Sequence, residues 1–252
     1  MKLIGFLSMY NEVEKGNLKR CLSSMSKYCN EIVVYDDAST DSSVEVALNY
    51  TDLIIEGKKN EWGKEAEHRQ RLLELALSHN PDWIFWLDAD EVIEKRGESG
   101  ELRKICEKAE ADSYAFHEVN LWRTPAFHRL DMSYNDGWFC RLWKNTGELV
   151  IENKPGLHQR LVPKGLRNEK QSDLQVLHYG FATDDNILNK FVTYKAHGQS
   201  GWALWRLVDE RSLRVARSNP DWFDYELPDI NPNDVYKTPL LSKVPTDENI
   251  RN

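Results

Sequence analysis

The sequence predicts an α/β fold built on a mixed, mainly parallel sheet, followed by a helical C-terminal extension. Three observations carry this. Short apolar runs alternate with amphipathic stretches of helical length over the first hundred or so residues. The run Trp83-Ile84-Phe85-Trp86-Leu87 is apolar without a break, as a strand buried on both faces requires. Between residues 113 and 179, strand-like runs follow one another with loops rather than helices between them.

In chain order, Leu3–Ser8 reads as a strand and Asn17–Tyr28 as a helix with Leu18, Leu22 and Met25 on one face. Glu31–Tyr35 is the next strand, and a helix begins near Asp41, where Thr40 or Asp41 can cap it. Leu53–Ile55 is a short third strand. Lys64–Ser78 is a helix, because Ala66, Leu72, Leu73, Ala76 and Leu77 recur at helical spacing. Trp83–Leu87 completes a series of βαβ units. After a helix at Glu101–Ala109, strands are expected at Ser113–Leu121, Gly137–Trp143, Leu157–Val162 and Gln175–Tyr179. From Asp184 to about Ser218 the pattern is helical again, with Trp202, Trp205, Leu207, Val208 and Leu213. The remaining residues hold five of the nine prolines, end in a polar tail and are expected to be extended or partly disordered. This divides the chain into one domain over 1–182, with halves 1–95 and 96–182, and an extension over 183–252.

With 252 residues, 40% of them hydrophobic, the chain has ample material for a core. Its formal charge of −8 argues against broad nucleic-acid binding, which needs a basic footprint. An acidic protein that handles phosphates must gather positive charge locally, from a divalent metal, Arg and Lys side chains or helix N-termini. Nine Trp and ten Tyr exceed what a core of this size needs, and aromatic faces stack on sugars and bases. The four cysteines (Cys21, Cys29, Cys106, Cys140) show no zinc-like spacing and read as reduced thiols. The start is too short and too soon polar for a signal peptide, and no apolar run reaches membrane-spanning length, so a cytoplasmic protein is expected.

In an open α/β sheet, ligands bind beyond the carboxyl ends of the strands. The first strand ends in Ser8-Met9-Tyr10-Asn11-Glu12, the second in Asp36-Asp37-Ala38-Ser39-Thr40-Asp41, and the fourth in Asp88-Ala89-Asp90-Glu91. Asp88 and Asp90, one residue apart past a buried strand, can point the same way and repel each other unless a cation lies between them. Oxygen-only ligands favour Mg²⁺ or Mn²⁺, which keep positions open for phosphate oxygens. The competing reading is that Asp88 only caps the following turn. Asp41 is placed to cap the next helix, which leaves Asp36 and Asp37 as one carboxylate more than capping needs. Such a carboxylate can accept the N3–H of uracil or a ribose hydroxyl.

Taken together, these three segments, in this order and spacing, resemble the family 2 inverting glycosyltransferases of GT-A fold. Further on, Arg141-Leu142-Trp143-Lys144, Gly156-Leu157-His158-Gln159 and Leu177-His178-Tyr179-Gly180 are similar to its lipopolysaccharide-core-like branch. The resemblance covers about residues 2–182. It implies a nucleotide-sugar-binding half over 1–95 and an acceptor half over 96–182. It implies that Ser8, Tyr10 and Asn11 border the donor, with Tyr10 against the base. Asp37 would bind base or ribose, supported by Asp36, and Arg69 would reach the nucleotide. Asp88 and Ala89 would lie along the ribose or a metal-bound water. Asp90 would ligate Mn²⁺ or Mg²⁺, with Asp88 and His178 as further ligands. His158 is a weaker candidate, because Gln159 follows it where the family has Glu. A carboxylate must serve as general base for the acceptor hydroxyl. Asp136 and Glu152 are the candidates, with Glu118 as a rival.

The resemblance further implies a nucleotide-sugar donor, a UDP-sugar by preference since Tyr plus Asp suits uracil, and a carbohydrate, lipid-linked or protein acceptor. Trp86-Leu87-Asp88-Ala89-Asp90-Glu91-Val92 also satisfies a haloacid-dehalogenase pattern, in which Asp88 would be a phosphorylated nucleophile and Asp90 a general acid. The later acidic motif of that class is absent. A non-catalytic carbohydrate-binding relative is a third reading. Trp202, Trp205 and Leu213 beside Arg206, Arg211, Arg214 and Arg217 admit an amphipathic helix peripheral to an anionic membrane, although Asp209 and Glu210 interrupt its basic face.

Overall fold

A computed structural model describes residues 1–131, 137–153 and 161–244. The chain divides into two compact units, Met1–His117 with Trp138–Val176, and Glu118–Gly137 with Leu177–Asn252.

In the first unit, β1 (Leu3–Met9), β2 (Glu31–Asp36), β3 (Ile54–Glu56) and β4 (Trp83–Trp86) alternate with α1 (Leu18–Met25), α2 (Ser43–Ala47) and α3 (Glu65–Ser78). These four strands are parallel, in the order β3-β2-β1-β4. The short β5 (Glu91–Ile93) and α4 (Leu102–Lys108) come next. Beside β4 the sheet turns antiparallel through β8 (Trp138–Lys144) to β6 (Ser113–Trp122), the strand that carries the chain into the second unit. The α/β class and the mixed, mainly parallel sheet follow the sequence expectation.

The two-residue period of the strands sorts their side chains into two cores. Leu3, Leu7, Val34, Trp83 and Phe85 pack with Leu18, Leu22 and Met25 of α1. Ile4, Phe6, Val33, Ile84 and Trp86 pack with Ala66, Leu72, Leu73 and Ala76 of α3 on the opposite face. Close approach of α1 depends on Gly5, since a Cβ there would lie 2.7 Å from Met25 Cε and 3.0 Å from Cys29 Sγ.

The second unit holds β7 (Thr124–Arg129) and β10 (Val215–Arg217) as an antiparallel ladder joined to the end of β6. Its core gathers Trp122 of β6, Phe181, both Ile187 and Phe191 of α5 (Asp184–Ala196), Leu204 of α6 (Trp202–Trp205), and Leu207 and Val208 just past α6. Thr183 caps α5 by accepting the Asn186 N–H at 3.1 Å.

Three expectations change. The helix expected from Asp184 to about Ser218 breaks after α5 and α6, and Val215–Arg217 is a strand, so no continuous amphipathic helix spans 202–217. The proline-rich end is not simply extended: Asn231 caps the short α7 (Pro232–Val235), and Leu240 is fully buried. The strand β9 (Glu169–His178) starts six residues earlier than Gln175. The strand expected at Leu157–Val162 falls largely outside the described residues. Among the described residues, no helix is long and apolar enough to cross a membrane.

Candidate active site

The register of the parallel strands decides where the polar clusters emerge. Met9 pairs with Asp36 and Phe6 with Trp86, so Tyr10-Asn11, Asp36-Asp37 and Asp88-Ala89-Asp90 leave the sheet along one edge. Ser8 lies half-buried within β1 opposite Tyr35, and Tyr10 is half-buried just past the strand. Asn11, at φ +50°, uses its side chain locally: its Oδ1 accepts the N–H groups of Thr40 at 2.7 Å and Asp41 at 3.3 Å. Asp36 is equally local. Its Oδ2 accepts the Ser39 N–H at 3.0 Å, and its carbonyl accepts the Gly57 N–H at 2.7 Å. Together they hold the loop in which Ala38 takes a left-handed φ of +61°.

Asp37 is buried at 8% exposure. Both of its oxygens accept the Glu61 N–H, at 3.0 and 3.2 Å, and Oδ2 also accepts from Asn60 Nδ2 at 3.0 Å. His68 of α3 stacks on Tyr35 with centroids 4.2 Å apart, and its Nε2 lies 3.9 Å from Asp37 Oδ1. Burial pushes the Asp37 carboxyl up from its ordinary value, opposed by the Glu61 N–H, and burial pushes the His68 imidazole down. An open cavity of about 580 Å³ lies against Tyr35, walled by Glu56, Gly57, Lys58, Lys59, Glu61 and Arg71 as well.

Asp88 has a 44% exposed side chain, Ala89 is buried, and Asp90 is half-buried. The Asp88 N–H donates to Glu91 Oε2 at 2.8 Å. Arg69, expected to reach the nucleotide, is 4% exposed and lies with its Cζ 3.5 Å from the Trp86 ring centroid. It ion-pairs with Glu65 and stands 3.5 Å from Asp88 Oδ1. Arg141 of β8, 2% exposed, lies 3.9 Å from the same ring centroid, pairs with buried Glu91, and stands 3.5 Å from Asp88 Oδ2. It arrives there because β8 runs antiparallel beside β4, with Phe85 opposite Leu142.

Asp88 and Asp90 offer only oxygen, at an edge open to solvent, which fits Mg²⁺ or Mn²⁺ retaining several waters. Among the described residues, no group of three His, Cys, Asp or Glu is gathered as a cage. His178 belongs to the second unit, where its Nδ1 lies 2.8 Å from Asn120 Oδ1 and its Nε2 lies 3.4 Å from Lys190 Nζ. Glu152 is exposed and ion-paired with Lys164, and Glu118 lies on β6. Asp136 and His158 lie outside the described residues.

The sequence pattern singles out neither His68 nor Glu65, and it carries Trp86, Glu91 and Arg141 only within longer motifs, with no role of their own. Glu91 directly follows the aspartate pair and was the most accessible of these signals.

Residues 6–144 match the family described as glycosyl transferase family 2. The chain is 32% identical over 217 residues to the SPbeta prophage-derived glycosyltransferase SunS of Bacillus subtilis strain 168, covering 85% of this chain and 46% of that protein. It thus spans about half the length of that relative. It is 27% identical over 212 residues to the lipopolysaccharide core biosynthesis glycosyltransferase LpsC of Rhizobium meliloti strain 1021, covering 79% of this chain and 72% of that protein. Residues 1–349 of TarS from S. aureus, crystallised in complex with UDP-GlcNAc, share the fold at a TM-score of 0.50 and 13% identity, covering 83% of this chain and 71% of that one.

Proposed function

Because the chain belongs to glycosyl transferase family 2 and has the α/β fold of the GT-A enzymes, we propose that it moves one sugar from a UDP-sugar to an acceptor hydroxyl, with inversion at the anomeric carbon. The acceptor is a glycan, a lipid-linked sugar or a protein. One observation carries the reading: three polar clusters, on β1, β2 and β4, leave adjacent parallel strands at one edge of the first unit's sheet.

Asp37 is the acceptor for the base. Two protein donors hold its carboxylate in place, and a uracil N3–H finds a fixed anion there. Tyr10 lies against the base and Ser8 borders the donor. The fold shared with TarS, which holds UDP-GlcNAc, supports a donor of this kind. Asp90 and Asp88 would hold Mn²⁺ or Mg²⁺, which supplies positive charge for the departing diphosphate. The proton of the acceptor hydroxyl passes to a carboxylate of the later half, Asp136 or Glu152, and turnover after alanine replacement of each selects between them.

Family membership removes the phosphohydrolase reading of Asp88 and Asp90. It leaves a non-catalytic carbohydrate binder as the rival. The test is a panel of UDP-, GDP- and dTDP-sugars scored for Mn²⁺-dependent hydrolysis, with Asp90→Ala as control. Hydrolysis of a UDP-sugar that is lost on chelation and in the variant is expected. Metal-independent binding without turnover would identify the binder, and neither binding nor turnover of any of these donors would overturn the assignment.

A further inference from the structure

The side chains of Arg69 and Arg141 are 5% and 2% exposed, too buried to meet a ligand directly, so each works through what it touches. Each lies between Asp88 and a glutamate. Nη2 of Arg69 is hydrogen-bonded to Glu65 and stands 3.5 Å from Asp88 Oδ1. Arg141 gives Nη2 to Glu91 and holds Nη1 3.5 Å from Asp88 Oδ2. A charge-assisted hydrogen bond closes to about 2.7–2.9 Å, so both guanidiniums stop short of Asp88, one at each oxygen. Trp86 backs both of them, with ring-centroid distances of 3.5 and 3.9 Å.

We propose that Glu65 and Glu91 hold these guanidiniums off Asp88, making Arg69 and Arg141 positioning residues that aim its carboxylate while leaving its charge for a divalent cation. The inference rests on the metal reading above. Each arginine makes its shorter ion pair with a glutamate, which leaves the Asp88 carboxylate available to a divalent ion. Glu65 and Asp88 compete for the same Nη2. Removing the Glu65 charge lets Arg69 close on Asp88 and weakens cation binding. Removing the Arg69 charge strips a repulsive neighbour from the cation and strengthens binding. A purely structural role for these residues would not move the two variants in opposite directions.

The test uses the full chain and Mn²⁺ as probe, with free Mn²⁺ followed by electron paramagnetic resonance in the absence and presence of UDP. Glu65→Gln is expected to bind Mn²⁺ alone about tenfold more weakly than the wild type, and Arg69→Gln about tenfold more tightly. Glu65, 25% exposed, tolerates its substitution, and thermal unfolding verifies that both variants fold. If Arg69→Gln does not fold, Glu65→Gln decides alone. An unchanged or tighter Glu65→Gln, or an unchanged or weaker folded Arg69→Gln, overturns the inference. If the wild type takes up Mn²⁺ with UDP and the variants show no opposed shifts, this inference fails and the metal reading stands. If the wild type takes up none under either condition, both fail.

Discussion

Replacing Asp37 by Asn separates the charge of the proposed base acceptor from its shape. In the wild type, both carboxylate oxygens accept the Glu61 N–H and one also accepts from Asn60. The amide keeps one oxygen for Glu61, and the Asn60 amide can turn to offer its own oxygen. The fold therefore loses about one hydrogen bond, roughly 1 kcal/mol, which lowers Tm by about 2–4 °C. Binding loses more, because a hydrogen bond to a charged acceptor contributes about 1.5–3 kcal/mol, equivalent to a Kd for UDP raised about 10- to 150-fold. Calorimetric titration with UDP and thermal unfolding measure the two effects separately. Because burial raises the Asp37 carboxyl, wild-type affinity should fall with decreasing pH at a midpoint above the ordinary carboxylate value, while the variant stays flat across that range. In the folding equilibrium the sign is reversed. A raised native pKa stabilises the fold most at low pH, and that contribution is lost as pH rises through the native value. A folded Asp37→Asn protein that binds UDP within about twofold of the wild type would refute the donor assignment.

Gly57→Ala places a Cβ 3.0 Å from the Asp36 carbonyl oxygen and 3.3 Å from the Tyr35 hydroxyl, so a loss of about 1–3 kcal/mol in denaturant unfolding is expected, with weaker UDP binding. Glu91→Ala leaves Arg141 buried without its main counter-ion and should cost about 3–5 kcal/mol, visible as a Tm lowered by roughly 6–20 °C. Burial pushes the Cys106 and Cys140 thiols up to about 12, so neither should react quickly with iodoacetamide at pH 8 in the native protein, while all four cysteines should react in denaturant. In the second unit, burial would raise the Asp184 carboxyl, but Arg123 and Lys243 together hold it below its ordinary value. Its stabilisation is present above about pH 4 and lost as pH falls through the lowered value, so the Tm gap between the wild type and Asp184→Asn should close in acid.

Local pattern determined much of this protein. Apolar runs at Leu3–Leu7, Ile32–Tyr35 and Trp83–Leu87 are strands for one physical reason: a parallel strand covered by helices on both faces has no polar side. Once these strands are parallel and adjacent, Asp36-Asp37 and Asp88-Ala89-Asp90 must emerge together, which is why the two clusters could be read as one site. The same local pattern misjudged Val215–Arg217, where helical spacing in Leu207, Val208 and Leu213 ran on into a segment that pairs with β7. A strand of that length is made by its partner, and no window of sequence contains the partner. The charge around Asp88 has the same character. Arg141 reaches it from β8 across an antiparallel ladder, Arg69 from the helix before β4, and His68 meets Asp37 through a stack on Tyr35. Sequence determined which carboxylates stand at the ends of the parallel strands, because strand ends follow from periodicity. Only the tertiary structure decided which cations stand behind them, because burial and ion pairing depend on distances between segments that the chain order does not fix.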